Sequence, residues 1–129
     1  MSEHFVYPEW IHLAHTFENG QCFRWRKIDE DHYVGVVHGQ VLEVKSVPEG
    51  TQLQPMNEQT FQTTYKRYFG FGENLRQRQR ALAGKDDHLR VAFEYCEGLT
   101  ILRQDPWETL VTFILSQNNH MPRIRSLVE

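Results

Sequence analysis

Two cysteines in 129 residues are too few to staple a small fold. Cys22 and Cys96 stand far apart, with no CxxC and no His/Cys cluster at zinc spacing. They point to two reduced thiols, not to a disulfide framework or a metal finger. Long apolar runs are missing too. No hydrophobic stretch has the length needed to span a bilayer, and no signal-peptide pattern opens the chain, so neither a membrane partner nor a secreted location is expected. Positive charge is not in excess: 14 Lys and Arg against 17 Asp and Glu give a formal net charge of -3. A nucleic-acid binder of this composition needs a local basic surface instead of a global field. Internal repeats and low-complexity segments are absent, which excludes solenoids and disordered linkers. Seven histidines are many for this length, but His4, His12, His15, His32, His38, His88 and His120 form no HxxxH pair or other ligand spacing. No metal and no cofactor is expected.

What is present, at 40% hydrophobic residues, suffices for one domain with a core. The first twenty residues are irregular. Pro8 argues against a regular element around it, Leu13 to Phe17 suits an edge strand, and Asn19-Gly20 is a turn signal. From Gln21 to Met56 the period is two. Phe23 and Trp25 alternate with Arg24 and Arg26, Tyr33 to Val37 is β-rich, and His38-Gly39 is a tight hairpin turn. Leu42 and Val44 then alternate with Glu43 and Lys45, Pro48 to Gly50 turns the chain, and Thr51 to Gln54 adds a short strand. The expectation is an antiparallel meander of three or four strands plus the earlier edge segment.

After Met56 the period becomes 3.6. Asn57 caps a helix carrying Phe61, Tyr65, Tyr68 and Phe69 on one face, stopped by Gly70. Asn74 to Ala83 is helical, and Asp86 caps a third helix with Leu89, Ala92, Phe93 and Cys96 on its face. The order, sheet first and helices after, predicts an α+β fold, with the boundary near Pro55 to Asn57: residues 1–56 a sheet unit, residues 57–129 a helical unit. The strongest helix start is Asp105-Pro106-Trp107-Glu108. Asp105 caps, Pro106 suits the first helical position, and Glu108 completes a capping box. Trp107, Leu110, Val111 and Ile114 fall at i, i+3, i+4, i+7, with Phe113 and Leu115 widening the face, so burial on most sides is expected. Pro122 restarts a helix with Ile124, Leu127 and Val128. That face has no partner before Glu129, and the sequence reads there as a cut inside a domain.

Three places could carry chemistry. The arginines of Arg76-Gln77-Arg78-Gln79-Arg80 fan out around a helix, which favours a solvated face over a phosphate track. Asn19-Gly20-Gln21 is a turn that any hairpin could use. Ser116 to Arg123 sets adjacent amides and an arginine between two helices. Asn donates and accepts, and Arg donates in a fork, so this segment could read base edges, although by itself it is read first as a helix-capping loop.

Several stretches together resemble the 8-oxoguanine DNA glycosylase family, within the helix-hairpin-helix glycosylase superfamily. They are Asn19-Gly20-Gln21-Cys22-Phe23-Arg24-Trp25, then Gly98-Leu99 with Leu102-Arg103-Gln104-Asp105-Pro106-Trp107-Glu108, then Ser116-Gln117-Asn118-Asn119 with Pro122-Arg123-Ile124. The resemblance implies a TBP-like antiparallel domain followed by the first helices of an all-helical domain, cut before the helix-hairpin-helix motif. It implies a base-excision-repair activity, removal of 8-oxoguanine followed by strand scission through a lysine Schiff base.

The resemblance also implies roles for particular residues. Gly20 matches the glycine whose backbone carbonyl contacts the damaged base. Guanine has a bare N7 acceptor where the oxidised base carries a proton, so a backbone acceptor attracts the lesion and repels the normal base. Asn118 matches the asparagine that fills the space left by the flipped lesion. Arg123 matches the arginine that contacts the orphaned cytosine, whose N3 and O2 accept and whose N4 donates. Phe113 is placed near the base pocket. The family's catalytic lysine and aspartate lie beyond Arg123, so Lys27, Lys45, Lys66 and Lys85 inherit no catalytic role and the chain alone is expected to be inactive. His120, Met121 and Pro122 occupy the variable part of the reading loop. The partner implied is double-stranded DNA containing oxidised guanine, in an intracellular setting (cytoplasm or nucleoid if bacterial), with a monomer as the complete form. Two other readings stand beside this one: a non-catalytic vestigial or DNA-binding module, and a fragment of an alkylation-type glycosylase. The double Asn followed by Arg argues against the latter.

Overall fold

A computed structural model describes residues 3–129. The fold is α+β. Five antiparallel strands form one sheet in the order β1-β5-β4-β3-β2, built from β1 (Phe5–Tyr7), β2 (Trp25–Asp29), β3 (His32–Val37), β4 (Gln40–Val47) and β5 (Gly50–Gln54). The meander forms because alternation puts one apolar set on one face. Tyr33 lies opposite Val44, which lies opposite Leu53, which lies opposite Phe5. Trp25 lies opposite Gly35, which lies opposite Leu42. The β3–β4 hairpin closes through His38 at φ 50° and Gly39 at φ 76°, the positive pair that a two-residue turn requires.

Two assignments at the N-terminal side need correction. The edge strand is Phe5–Tyr7, and Leu13–Phe17 is instead a short helix, α1. Its five residues carry too few periods to separate a helix from a strand, and its cap is an imidazole: His12 Nδ1 accepts the His15 N–H at 3.1 Å. The strand expected from Gln21 begins only at Trp25, because the preceding residues bond to a distant segment instead of to a neighbouring strand.

The helices follow the sheet. Asn57 Oδ1 accepts the Thr60 N–H and starts α2 (Glu58–Thr60), which runs through a π-helical turn (Phe61–Tyr65) into α3 (Lys66–Phe69). All four expected residues of that face, Phe61, Tyr65, Tyr68 and Phe69, are buried. They pack on the sheet, and one apolar cluster runs from Ile11 to Leu102 on both sides of residue 56. At its centre Trp25 stacks on Phe17 with ring centroids 4.1 Å apart, and its Nε1 donates to the Tyr68 hydroxyl.

A hairpin of α4 (Leu75–Ala83) and α5 (Asp87–Tyr95) follows, with no buried residue in either helix. Asp86 caps α5 as expected, through the His88 and Leu89 N–H groups. The last elements are α6 (Pro106–Leu115) and α7 (Met121–Val128). Asp105 caps α6 through the Glu108 N–H, but Glu108 does not close a capping box: its carboxylate accepts from Arg24 at 3.3 Å. The expected burial of α6 is also wrong. Trp107 is 72% exposed, Phe113 64% and Ile114 60%, and in α7 only Ile124 is buried. Among the described residues no helix is long and apolar enough to cross a membrane.

Candidate nucleic-acid interface

Two loops hold the expected site residues, and they approach each other where the turn after α1 faces the start of α7. The first follows α1, where Gly20 takes φ 85°, a conformation that side chains with a Cβ rarely adopt. A methyl group built on Gly20 would stand 4.0 Å from Met121 Sδ, so this turn lies beside the start of α7. The next residue is held firmly. Gln21 Nε2 donates to the carbonyls of Thr16 (2.8 Å) and Thr100 (2.7 Å), and its Oε1 accepts the Leu102 N–H at 3.0 Å. Gln104 Nε2 donates to the Gln21 main-chain oxygen. Beneath them Thr100 donates its hydroxyl to Phe69 O, and its N–H reaches the Thr16 hydroxyl.

The second loop joins α6 to α7, and its polar residues divide in two. Ser116 Oγ bonds back to Phe113 O at 2.6 Å. Asn119 caps the end of α6, donating to Leu115 O at 3.0 Å while its Oδ1 accepts the His120 N–H at 3.0 Å. These are the helix-capping roles that the amide cluster suggested. Asn118 differs. It sits at φ 50°, exposed, and its side chain has no hydrogen-bond partner among the described residues. Arg123, in the first turn of α7, is also exposed, and its guanidinium has no partner among them.

The other arginines near these loops are occupied. Arg24 pairs with Glu108, Arg103 with Glu73 at 2.7 Å, and Arg26 with Glu129 at 2.9 Å. Arg125 donates to Trp25 O at 3.2 Å and ties α7 to the start of β2. Arg76, from the expected solvated run, donates to Trp10 O at 2.7 Å and anchors α4. Phe113 is exposed and lines an open depression with Leu102, Gln104, Pro106, Thr109 and Leu110.

Among the described residues no side chain is tuned as a nucleophile by the shifts that are resolved. Burial pushes the Cys22 thiol up to about 12, so it stays protonated and inert. The hydrogen bond to Glu30 raises Lys27 above the ordinary lysine value, the wrong direction for a Schiff-base amine.

Gly20, Asn118 and Arg123 carry their expected roles only through resemblance, since a turn glycine, a loop amide and an exposed arginine are commonplace. The structure adds which polar residues are spoken for. It also exposes residues whose importance the sequence did not disclose: Gln21, Gln104, and the Arg24–Glu108 pair. The available signal was a glutamine placed between a turn and a buried aromatic stretch, where an amide must find partners.

A family model of the 8-oxoguanine DNA glycosylase N-terminal domain matches residues 5–110. Among curated proteins, the chain is 24% identical to the N-glycosylase/DNA lyase OGG1 of Arabidopsis thaliana, over 95% of this chain and 37% of that protein. It is 28% identical to the N-glycosylase/DNA lyase of Saccharomyces cerevisiae, over 87% of this chain and 33% of that protein. The chain thus spans about a third of the length of these curated relatives. Among solved structures, MBOgg1 in complex with a low-affinity DNA ligand superposes with a TM-score of 0.86 at 38% identity, over 95% of this chain and 42% of that one. The Clostridium acetobutylicum 8-oxoguanine glycosylase/lyase, bound to double-stranded DNA with cytosine opposite 8-oxoG, gives 0.84 at 34% identity, over 89% of this chain and 39% of that one. With the match covering most of its length and the same architecture in the solved relatives, the chain belongs to the 8-oxoguanine DNA glycosylase N-terminal domain family.

Proposed function

We propose that this chain is the base-reading, N-terminal part of a DNA glycosylase/AP lyase that removes 8-oxoguanine from DNA. Gly20 offers its carbonyl to the oxidised base, Asn118 fills the vacated position in the duplex, and Arg123 reads the orphaned cytosine. Phe113 belongs to the base pocket. The observation that carries the reading is selective occupancy. Ser116 and Asn119 are consumed by capping and Gln21 by the loop, while Asn118 and Arg123, on either side of the Met121 that faces the Gly20 turn, keep their hydrogen-bonding groups for something else. A free amide with a free guanidinium fits an unpaired base edge. The relatives named above, glycosylase/lyases and a complex with 8-oxoG opposite cytosine, support the substrate class.

The catalytic lysine and aspartate are assigned to no residue here, so the chain alone excises nothing. The proposed partner is double-stranded DNA, the proposed location is wherever that DNA lies inside the cell, and the complete protein acts as a monomer. The division into a sheet unit, residues 1–56, and a helical unit, 57–129, remains part of this reading. Because one core crosses residue 56, the division is architectural and does not mark two independently folding pieces.

The test joins this chain to the portion of the Clostridium glycosylase/lyase that it does not cover. The hybrid should release 8-oxoguanine opposite cytosine and form a borohydride-trapped adduct, and the chain alone should do neither. A folded hybrid indifferent to oxidised guanine would reject the reading, as would trapping on any lysine of this chain.

A further inference from the structure

Gln21 and Gln104 are given no role toward DNA in that reading. We infer that they act as positioning residues, a two-glutamine clamp that sets the direction of the Gly20 carbonyl and thereby the discrimination between oxidised and normal guanine. The inference rests on the proposed contact at Gly20 and deepens it. An oxidised guanine differs from guanine at that contact by one proton, so the preference depends on where a single oxygen points. Glycine alone cannot hold an orientation, because it is the residue with the most backbone freedom.

The clamp removes that freedom from the residue next to it. Three backbone partners hold the Gln21 amide, two carbonyls using both Nε2 donors and the Leu102 N–H on Oε1. The Gln21 carbonyl is occupied by Gln104. Gln21 is therefore fixed at its side chain and its main chain at once, and the peptide joining it to Gly20 inherits that fixation. The anchoring segment, residues 100–104, is itself bolted to the core, since Thr100 bonds to Thr16 and Phe69 and Leu102 is buried. Gln104 also immediately precedes Asp105, the cap of α6, whose far end carries Asn118. One pair of amides thus registers the lesion-reading carbonyl against the helix that leads to the opposite-base reader. Packing alone would not require this. A hydrophobic residue at 21 would fill space, but it would leave the carbonyls of Thr16 and Thr100 and the Leu102 N–H unpaired.

The experiment uses the chain itself, labelled for NMR, and reads two quantities in wild type, Gln104→Ala, Gln104→Glu and Gln104→Lys. One is amide exchange and order at Gly20 to Cys22. The other is binding to duplexes carrying either 8-oxoguanine or guanine opposite cytosine. Gln104 is chosen because it is only half-buried and its loss leaves the Gln21 side chain bonded. Ala and Glu should loosen residues 20–22 and cut the oxidised-over-normal preference about five- to tenfold, the size of one hydrogen bond. Lys, which restores a donor, should return most of it. Affinity for the normal duplex and the thermal midpoint should hardly move. A loss shared equally by both duplexes marks a merely structural role and overturns the inference. So does a wild-type preference that survives in Gln104→Glu. A wild-type chain blind to oxidation is a different failure, which overturns the functional reading and the clamp's part in it.

Discussion

Asn118 and Asn119 are chemically identical neighbours put to opposite uses. Asn119 closes the end of α6, while Asn118 is turned out at positive φ with its amide free. Arg123 has the same freedom, and its removal gives a sharp prediction for the hybrid. Arg123→Ala should cost about 1.5–3 kcal/mol, the range for hydrogen bonds to a charged group, and mainly on substrates with cytosine opposite the lesion. Preference for cytosine should fall roughly tenfold or more. Binding across four opposite bases at two salt concentrations checks this, because a phosphate contact would weaken all four alike and lower the salt slope by about one unit. A second residue-scale prediction concerns His12. Burial, then the neighbouring charge of His15, lowers its pKa below the ordinary 6.5, and its neutral Nδ1 caps α1. The rings of His12 and His15 stack 3.6 Å apart. A lowered folded-state pKa means that the unfolded chain takes up the proton first as pH falls. The contribution is therefore complete above pH 6.5 and is lost as pH drops through and below it. Denaturation midpoints between pH 7.5 and 5 should decline in wild type and decline less in His12→Ser, which caps without titrating.

Elements whose alternation or periodicity ran long enough were legible. The β3–β4 hairpin, the Asn57, Asp86 and Asp105 starts and the change of period at Asn57 all follow from local chemistry, and the structure places them there. Leu13–Phe17 was misread because five residues barely exceed one helical turn, and histidine is an unusual cap. The burial of α6 was misread for a different reason. An apolar face states what a helix can bury and says nothing about whether a neighbour is there to cover it. Gly20, Asn118 and Arg123 were legible only as matches to a family pattern, whereas the Gln21–Gln104 contact spans 83 positions and leaves no local trace. Gly35 shows what pairing does demand. A Cβ there would fall 2.4 Å from Trp25 Cδ2, because the indole lies flat over the strand. Gly35→Ala should therefore destabilise by about 1–3 kcal/mol through overpacking. Val41→Ala, on an exposed side chain of the same sheet, should stay within about 0.5 kcal/mol. Urea unfolding of the two variants makes the comparison.

For the molecule as a whole, the outer side of α6 and α7 is the conspicuous surface. Trp107, Leu110, Phe113, Ile114 and Leu127 are all exposed, more apolar surface in one region than a stable monomer usually shows. The isolated chain should bind a hydrophobic dye well above a compact control and self-associate as its concentration rises. Sedimentation as a monomer with weak dye binding would count against this. The Gln21 contacts have a further consequence, one of timing. The turn that carries Gly20 is made early in synthesis, yet its fastenings are 79 to 83 residues downstream. At about 5–20 residues per second, a ribosome needs roughly four to sixteen seconds to supply them. In the later part of that interval all five strands have been made, while the turn that carries Gly20 still lacks its fastenings. The Gly20 turn is thus among the first parts of the chain to be made and among the last to be fixed.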